Sequence, residues 1–379
     1  MQTSLLAHVA AANSLTGRWC AVAGSEDFVL SGCGVWPLLG VLASAASEPA
    51  RTELAAAVGL ADASAQEAAL RLLAEVADAE TIAGALGVWV RKDVRLRERW
   101  AGSLPAGTVD TLTDQAALDA WADRHTDGLI RRFPLDMTSE TLLVLATAIV
   151  ARTAWRETFD DDVLEPQDGP WRGHRGPGLS RYSRQLDDAA LVDGDTPVTR
   201  VVVRGRGDLD VHLLTGAGTP GAVLGAGLAA LDGSVVARAD LPIGTEGPGL
   251  IVRETRAVAD TLRIQLPPFE IRSSHRLLDR AELFGLRTAA DDGAQRFPEI
   301  SDTPLYVADA AQDALARFTR DGFEAAAVTA IALARAIALP HPRPALEISV
   351  TFDRPFGFLA VHRTTGLVIV AGWVARPPV

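Results

Sequence analysis

The glycines Gly216, Gly218 and Gly221 stand as G-x-G-x-x-G within Asp210-Val-His-Leu-Leu-Thr-Gly-Ala-Gly-Thr-Pro-Gly221. Between a strand and a helix, such a loop cradles a pyrophosphate on its backbone N–H groups. A helix-like stretch from Ala222 to Leu231 follows, and a strand ending at Asp240 puts an acid near the ribose offset. Pro220 interrupts the loop, however, and no upstream βαβ pattern begins there. A dinucleotide-binding enzyme is therefore a distant alternative. Other catalytic signals are weaker still. His8, His125, His174, His212, His275, His341 and His362 are dispersed without H-E-x-x-H spacing, so they assemble no zinc site. No serine lies in a G-x-S-x-G elbow. Cys20 and Cys33 are the only cysteines; they read as two buried thiols, with a single bridge as the alternative. No catalytic residue, metal or cofactor is expected.

Chemistry performed on the chain has a better candidate. Gly322-Phe-Glu-Ala-Ala-Ala-Val-Thr-Ala330 continues as an apolar run, then the proline cluster Pro340-His-Pro-Arg-Pro344, then Phe352-Asp-Arg-Pro-Phe356. Alanine favours helix, so one reading is an Ala-rich helix followed by a Pro-rich linker. Counted with period 2, the segment is instead a strand with two unlike faces. Phe323, Ala325, Ala327, Thr329, Ile331 and Leu333 form the bulkier face; Glu324, Ala326, Val328, Ala330, Ala332 and Ala334 form the small one. A segment able to be exposed loop or buried strand is a two-state element.

Composition narrows the partners. The net charge is −12 and the pI near 5.1, which argues against nucleic acid or an anionic membrane surface. Lys92 is the only lysine, a bias expected of a GC-rich bacterial gene. The N-terminal Met-Gln-Thr-Ser-Leu-Leu-Ala-His has no basic region of a secretion signal, and no uncharged apolar run reaches a membrane span. A cytoplasmic location is the default expectation, with an extracellular one left open.

The elements that must position the segment read as follows. Helices are expected over residues 2–13, from Val35 to Val58 with a stop near Gly59, over 63–78, from Ala116 to Arg131, and over 275–284. Ile82 to Arg91 reads as a strand entering a large sheet. The run Leu142 to Ala151 is apolar enough for a central strand buried on both faces. Residues 160–196, rich in Gly, Pro, Asp and Arg, read as an irregular exposed excursion. Short strands dominate from 197 onward and end at 348–352, 356–361 and 367–374, around Thr364-Thr-Gly366.

The Ala-rich segment and Phe352-Asp-Arg-Pro-Phe356 together resemble the reactive loop and C-terminal signature of serpins. Four further segments match in order: Ser31-Gly-Cys-Gly-Val-Trp-Pro-Leu-Leu, Ala120-Trp-Ala-Asp-Arg-His-Thr-Asp-Gly-Leu-Ile130, Leu145-Ala-Thr-Ala-Ile-Val-Ala-Arg-Thr-Ala-Trp155, and Leu266-Pro-Pro-Phe-Glu-Ile-Arg-Ser-Ser with Leu283-Phe-Gly-Leu286. The resemblance implies a mixed α/β fold over residues 1–379, one serpin-like domain with many helices, large mainly antiparallel sheets and an exposed reactive-centre loop near 322–347. It implies a monomeric suicide-substrate inhibitor rather than an enzyme. Its partner would be a subtilisin-, elastase- or trypsin-like serine protease, trapped as the cleaved loop inserts into the central sheet. Gly322 to Ala330 would be the hinge, and the reactive bond would be Ala336–Ile337, or one residue earlier after Arg335. Ser31, Thr147, Trp155 and Gln312 would line the shutter and breach through which the loop enters.

This chain departs from the family pattern at four of these places. Thr147 replaces the usual asparagine, Gln312 the usual histidine, and Arg320 stands where acids are favoured. Phe323 replaces a small first inserting residue. Without a pocket it would overpack at a cost of about 1–3 kcal/mol; with one it would drive insertion by about 1.5–3 kcal/mol. These departures leave a non-inhibitory binding or scaffold protein of the same fold as the alternative.

Overall fold

A computed structural model describes residues 6–60, 62–194, 196–324 and 343–378. Its helices are α1 (Ala7–Val22), α2 (Gly32–Ala45), α3 (Ala50–Val58), α4 (Asp62–Ala77), α5 (Glu98–Ala101), α6 (Gln115–His125), α7 (Pro220–Asp232) and α8 (Ala281–Phe284). The strands begin with β1 (Phe28–Leu30), β2 (Ile82–Val90), β3 (Val109–Thr111), β4 (Leu143–Ala154), β5 (Asp160–Leu164) and β6 (Gly176–Ser183). Then come β7 (Ala189–Val192), β8 (Val198–Arg204), β9 (Leu209–Gly216), β10 (Ala237–Arg238), β11 (Glu246–Gly247), β12 (Leu250–Ala257) and β13 (Thr261–Leu266). The last are β14 (Phe269–Arg276), β15 (Ala311–Phe318), β16 (Gly322–Glu324), β17 (Arg343–Thr351), β18 (Phe356–His362) and β19 (Val368–Val374).

Three sheets organise these strands. The central one runs β14-β15-β16-β4-β2-β3, a second β1-β19-β18-β9-β8-β7-β10, and a third β11-β12-β17-β13-β6-β5. Pairing is antiparallel except between β2 and β3 and between β13 and β17, so the mixed, mainly antiparallel expectation holds. Helix α2 is buried along almost its whole length beneath the central sheet. Ser31 caps its start, accepting from the Gly34 N–H at 3.1 Å, as a hydroxyl at that position does. Helix α6 lies on the other face of the sheet. Leu118 and Ala122 of α6 share an apolar cluster with Trp89, Phe133, Val144 and Ala146.

Several boundaries differ from the sequence reading for local reasons. Val35 to Val58 is two helices, because the segment Ser47-Glu-Pro49 between α2 and α3 cannot continue a helix. Helix α6 stops at His125 rather than Arg131. Asp127 and Gly128 take positive φ (49° and 83°), and the Thr126 hydroxyl donates to the Ala122 carbonyl at 2.7 Å. Residues 160–196 are not irregular throughout; they hold β5, β6 and β7. Asp160–Asp162 sit on the edge strand β5, where charge is tolerated, and Gly178 of β6 lets β5 close in, since a Cβ there would lie 2.8 Å from the Leu164 nitrogen. Strand β4 is not buried on both faces. It alternates, with Val144, Ala146, Ala148 and Val150 buried and Leu145, Thr147 and Ile149 half-buried.

The glycine fingerprint is structural. Strand β9 is antiparallel to both neighbours, so no parallel βαβ crevice exists there. Helix α7 is capped by Thr219, and a Cβ on Gly221 would lie 2.6 Å from the Ala21 Cα. Gly221 is there to let α7 approach α1.

Cys20 and Cys33 are free and buried. Burial pushes both thiols up to about 12. At pH 8 the thiolate fraction is then on the order of 10⁻⁴, and the thiolate is the reactive form. A thiol reagent should label neither cysteine in the folded protein and two per chain in denaturant. Rapid labelling of the native protein would contradict this packing.

Candidate functional site

The site begins where the central strand β15 turns back. Thr319 closes the turn: its N–H and its hydroxyl both donate to the Gly322 carbonyl, at 2.9 and 3.1 Å. Trp155, fully buried at the end of β4, grips this turn twice. Its indole N–H donates to the Thr319 carbonyl and its backbone N–H to the Asp321 carbonyl, both at 2.9 Å. Arg320 reaches Asp161 of β5 at 3.0 Å. The acid that the family favours before the loop is thus exchanged for a base facing an acid.

From this turn the chain enters the sheet at once. Gly322, Phe323 and Glu324 pair antiparallel with Ala154, Thr153 and Arg152 of β4. On the other side Phe323 and Glu324 pair with Phe318 and Arg317 of β15. A Cβ on residue 322 would sit 2.5 Å from the Thr153 carbonyl oxygen, so only glycine allows the strands to close here. Gly322–Glu324 therefore belong to the sheet, whereas an exposed loop was expected from 322 onward. At its other end residues 343–347 already belong to β17.

Phe323 has its pocket. It is 2% exposed, with its ring centroid 6.2 Å from that of Phe358. Phe358 packs on Phe269 at 5.0 Å, Phe269 stacks on Phe318 at 5.5 Å, and Phe318 meets Trp155 at 4.7 Å. Burial contributes about 1.5–3 kcal/mol, and offset or edge-on ring pairs add about 0.5–1.5 kcal/mol each. Phe323 is a wedge fitted to this cluster, not an overpacked residue.

Beyond β16, strands β4 and β15 share no register among the described residues. Both run antiparallel to β16 and hence parallel to each other. A cleft of about 100 Å³ follows their inner edges, between Thr147 and Ile149 on one side and Gln312 and Ala314 on the other. Val35 of α2 and Trp121 of α6 also line it. A second cleft of about 230 Å³ continues along Leu142 to Leu145 and Ala308 to Ala311.

Ser31, Thr147 and Gln312 meet at the floor of the first cleft, and no bond between Thr147 and Gln312 joins the two strands. Gln312 instead brackets Ser31: its side-chain oxygen accepts from the Ser31 N–H at 2.8 Å, and its amide donates to the Ser31 carbonyl at 2.9 Å. The Thr147 hydroxyl donates to the Gly34 carbonyl, and the Ser31 hydroxyl donates to the Ile369 carbonyl at 2.6 Å. Each strand is tied separately to the first turn of α2.

Of the residues singled out in the sequence, Ser31, Thr147, Trp155, Gln312, Gly322, Phe323 and Glu324 all fall on this one sheet or its floor. The hinge residues Ala325, Ala326, Ala327, Val328, Thr329 and Ala330, and Arg335, Ala336 and Ile337, lie outside the described residues. Sequence reading missed Thr319, Asp161, Phe269, Phe318 and Phe358. The phenylalanines gave a signal in their alternation, Phe356 and Phe358 on one strand, but nothing placed them beside Phe323.

A family model described as serpin (serine protease inhibitor) matches residues 10–168 and 250–377. The chain belongs to the serpin family. Serpin-Z1A of Triticum aestivum is 25% identical over 93% of this chain and 90% of its own length. Neuroserpin of Gallus gallus is 23% identical, covering 69% of this chain and 60% of its own. Among solved structures, cleaved serpin 42Da shares the fold with a TM-score of 0.72, 18% identity and 98% coverage of both chains. Human thyroxine-binding globulin complexed with thyroxine has a TM-score of 0.72, 16% identity and 98% coverage of both. In this serpin Ser31, Thr147 and Gln312 converge on the first turn of α2.

Two substitutions test this geometry. Phe323→Ala should lower unfolding free energy by about 3–5 kcal/mol, the usual loss for a buried phenylalanine, measured by denaturant titration. Gln312→Ala leaves the Ser31 backbone groups unpartnered and should cost about 1–3 kcal/mol. A Phe323 variant as stable as the parent would show that the aromatic pocket is not occupied in solution.

Proposed function

We propose that this serpin is a suicide-substrate inhibitor of serine proteases. The observation that carries the reading is the short strand Gly322–Glu324, seated between β4 and β15, two strands that share no other register among the described residues. Continuing that register is simple arithmetic. Ala327 would come opposite Ile149 and Ala314, and Thr329 opposite Thr147 and Gln312. The bulkier face would then turn toward α2 and the core, the smaller one toward α6. Ala325 to Ala334 carry no charge and no proline, which suits a strand entering the middle of a sheet.

In this reading the serine hydroxyl of the protease attacks the Ala336 carbonyl, and the Ala336–Ile337 bond breaks. An ester joins the protease to the new C-terminus at Ala336, and Ile337 leaves with a free amino group. Insertion of the freed segment carries the protease away before water cleaves the ester. Ala336 suits an elastase- or subtilisin-like target; cleavage after Arg335 would suit a trypsin-like one. The near-absence of lysine supports a bacterial source. The motive for a non-inhibitory reading weakens once Phe323 has a fitted pocket and Arg320 an acidic partner.

Mixing the protein with subtilisin, elastase and trypsin should yield a denaturation-resistant complex and a C-terminal fragment beginning at Ile337. A fragment beginning at Ala336 would move the bond to Arg335, and cleavage with no complex would overturn inhibition. Ala327→Arg would bury an unpaired charge against Ile149 and Ala314. It should abolish complex formation and leave loop cleavage intact; undiminished inhibition by this variant would rule out strand insertion.

A further inference from the structure

Eight large hydrophobic side chains are exposed among the described residues, and four of them gather at the sheet β11-β12-β17-β13-β6-β5. Tyr182 of β6 is 62% exposed and Ile251 of β12 54%. Val163 lies on the edge strand β5, and Ile243 in the turn preceding β11. The register makes a row of the first two. Ile251 is opposite Ser349, Ser349 opposite Arg263, and Arg263 opposite Tyr182. Residues opposite one another share a face, and the intervening residues Leu250, Ile348, Leu262 and Ile264 are buried on the other. The row therefore crosses four strands on the solvent side, about 14 Å at the usual strand spacing.

Arg263 is the charged member of the row. Its guanidinium stands 6.0 Å from the Tyr182 ring, and its Nε is buried with no hydrogen-bond partner. Its neighbour Arg253 is paired with Glu347 at 2.5 Å, whereas Arg263 has no carboxylate partner among the described residues. An arginine with no carboxylate partner among the described residues, standing between Tyr182 and Ser349 in a row that ends at Ile251, has the composition of an interface centre. It calls for an acid on the partner.

The chain itself indicates which partner. Strand β17, which carries Ser349, is where the bait segment rejoins the fold at Arg343. From Ile337 to Arg343 six residue steps remain, a reach of about 20 Å at full extension. The distance along β17 from Arg343 to Ser349 is also about 20 Å. A protease domain of ordinary size has a radius of gyration of about 17 Å. A protease held at Ala336–Ile337 is therefore within reach of this sheet.

We infer that the row Ile251–Arg263–Tyr182 is a docking surface for the body of the approaching protease, which places a carboxylate on Arg263. The inference rests on the inhibitory reading above. The surface acts before acylation, so it sets the encounter rate and not the later partition between trapping and escape. The test is the second-order rate of complex formation with subtilisin, elastase and trypsin, for the parent, Tyr182→Ala and Arg263→Glu. Both substitutions are on a solvated face and should leave the melting temperature unchanged. With at least one of the proteases that the parent traps, the variants should react ten-fold or more slowly, with unaltered inhibition stoichiometry. The salt dependence of the parent's rate should be lost in Arg263→Glu. Unchanged rates with every trapped protease would overturn the docking surface and leave inhibition standing. A parent dimer that the variants dissociate would assign the row to a second copy of the chain instead. Failure of the parent to trap any of the three would overturn the inhibitory reading and this inference with it.

Discussion

Strands β4 and β15 face each other with backbone donors and acceptors along their inner edges, and β16 is the only described strand between them. Unsatisfied backbone groups in the middle of a sheet are costly, and an open edge is a template for another strand. The rest of the molecule is arranged around this constraint. The turn Thr319–Gly322, held by Trp155, delivers the chain to the top of the opening. Phe323 fixes the register there by filling an aromatic pocket built from β14, β15 and β18.

Below that wedge, the same strands are fastened from beneath. Gln312 holds Ser31 on the β15 side, and Thr147 holds Gly34 on the β4 side. Because both ties run to the first turn of α2, the two strands are spaced by a common floor without being joined to each other. Side chains of a serine, a threonine and a glutamine suffice for this, since each finds a backbone partner and none is left buried without one. Such a floor supports an incoming strand without its bonds having to break, which distinguishes it from a gate closed across the gap. Helix α6 covers the opposite face, so a strand entering here is enclosed on both sides.

Much of this was legible in the residues. The two-faced segment and its small, uncharged run are local patterns, and local patterns survive without knowledge of the fold. Strands β2 and β4 and helix α4 were legible for the same reason, whereas His275 and Arg276, read as the start of a helix, end β14. What failed depended on context. The Asp run of β5 and the Gly and Pro of β6 suggest loop until the edge position of β5 and its close approach to Gly178 are known. Ser47-Glu-Pro49 split what periodicity read as one helix. Phe323 looked ambiguous because its pocket comes from Phe269, Phe318 and Phe358, which meet only in the folded chain. Gln312 and Thr147 could be matched to the family's shutter by order. The direction of their bonds, to the backbone of α2, follows from the position of Gly34 and was not in the sequence.

The central claim is that the opening between β4 and β15 accepts the rest of the bait segment as a strand in the register that Phe323 sets. The most direct measurement is thermal unfolding of the protein before and after a single proteolytic cut within residues 325–342. New pairing to both strand edges predicts a melting temperature raised well beyond the parent's. An unchanged or lower melting temperature after a clean cut would contradict insertion, and with it this account of the sheet.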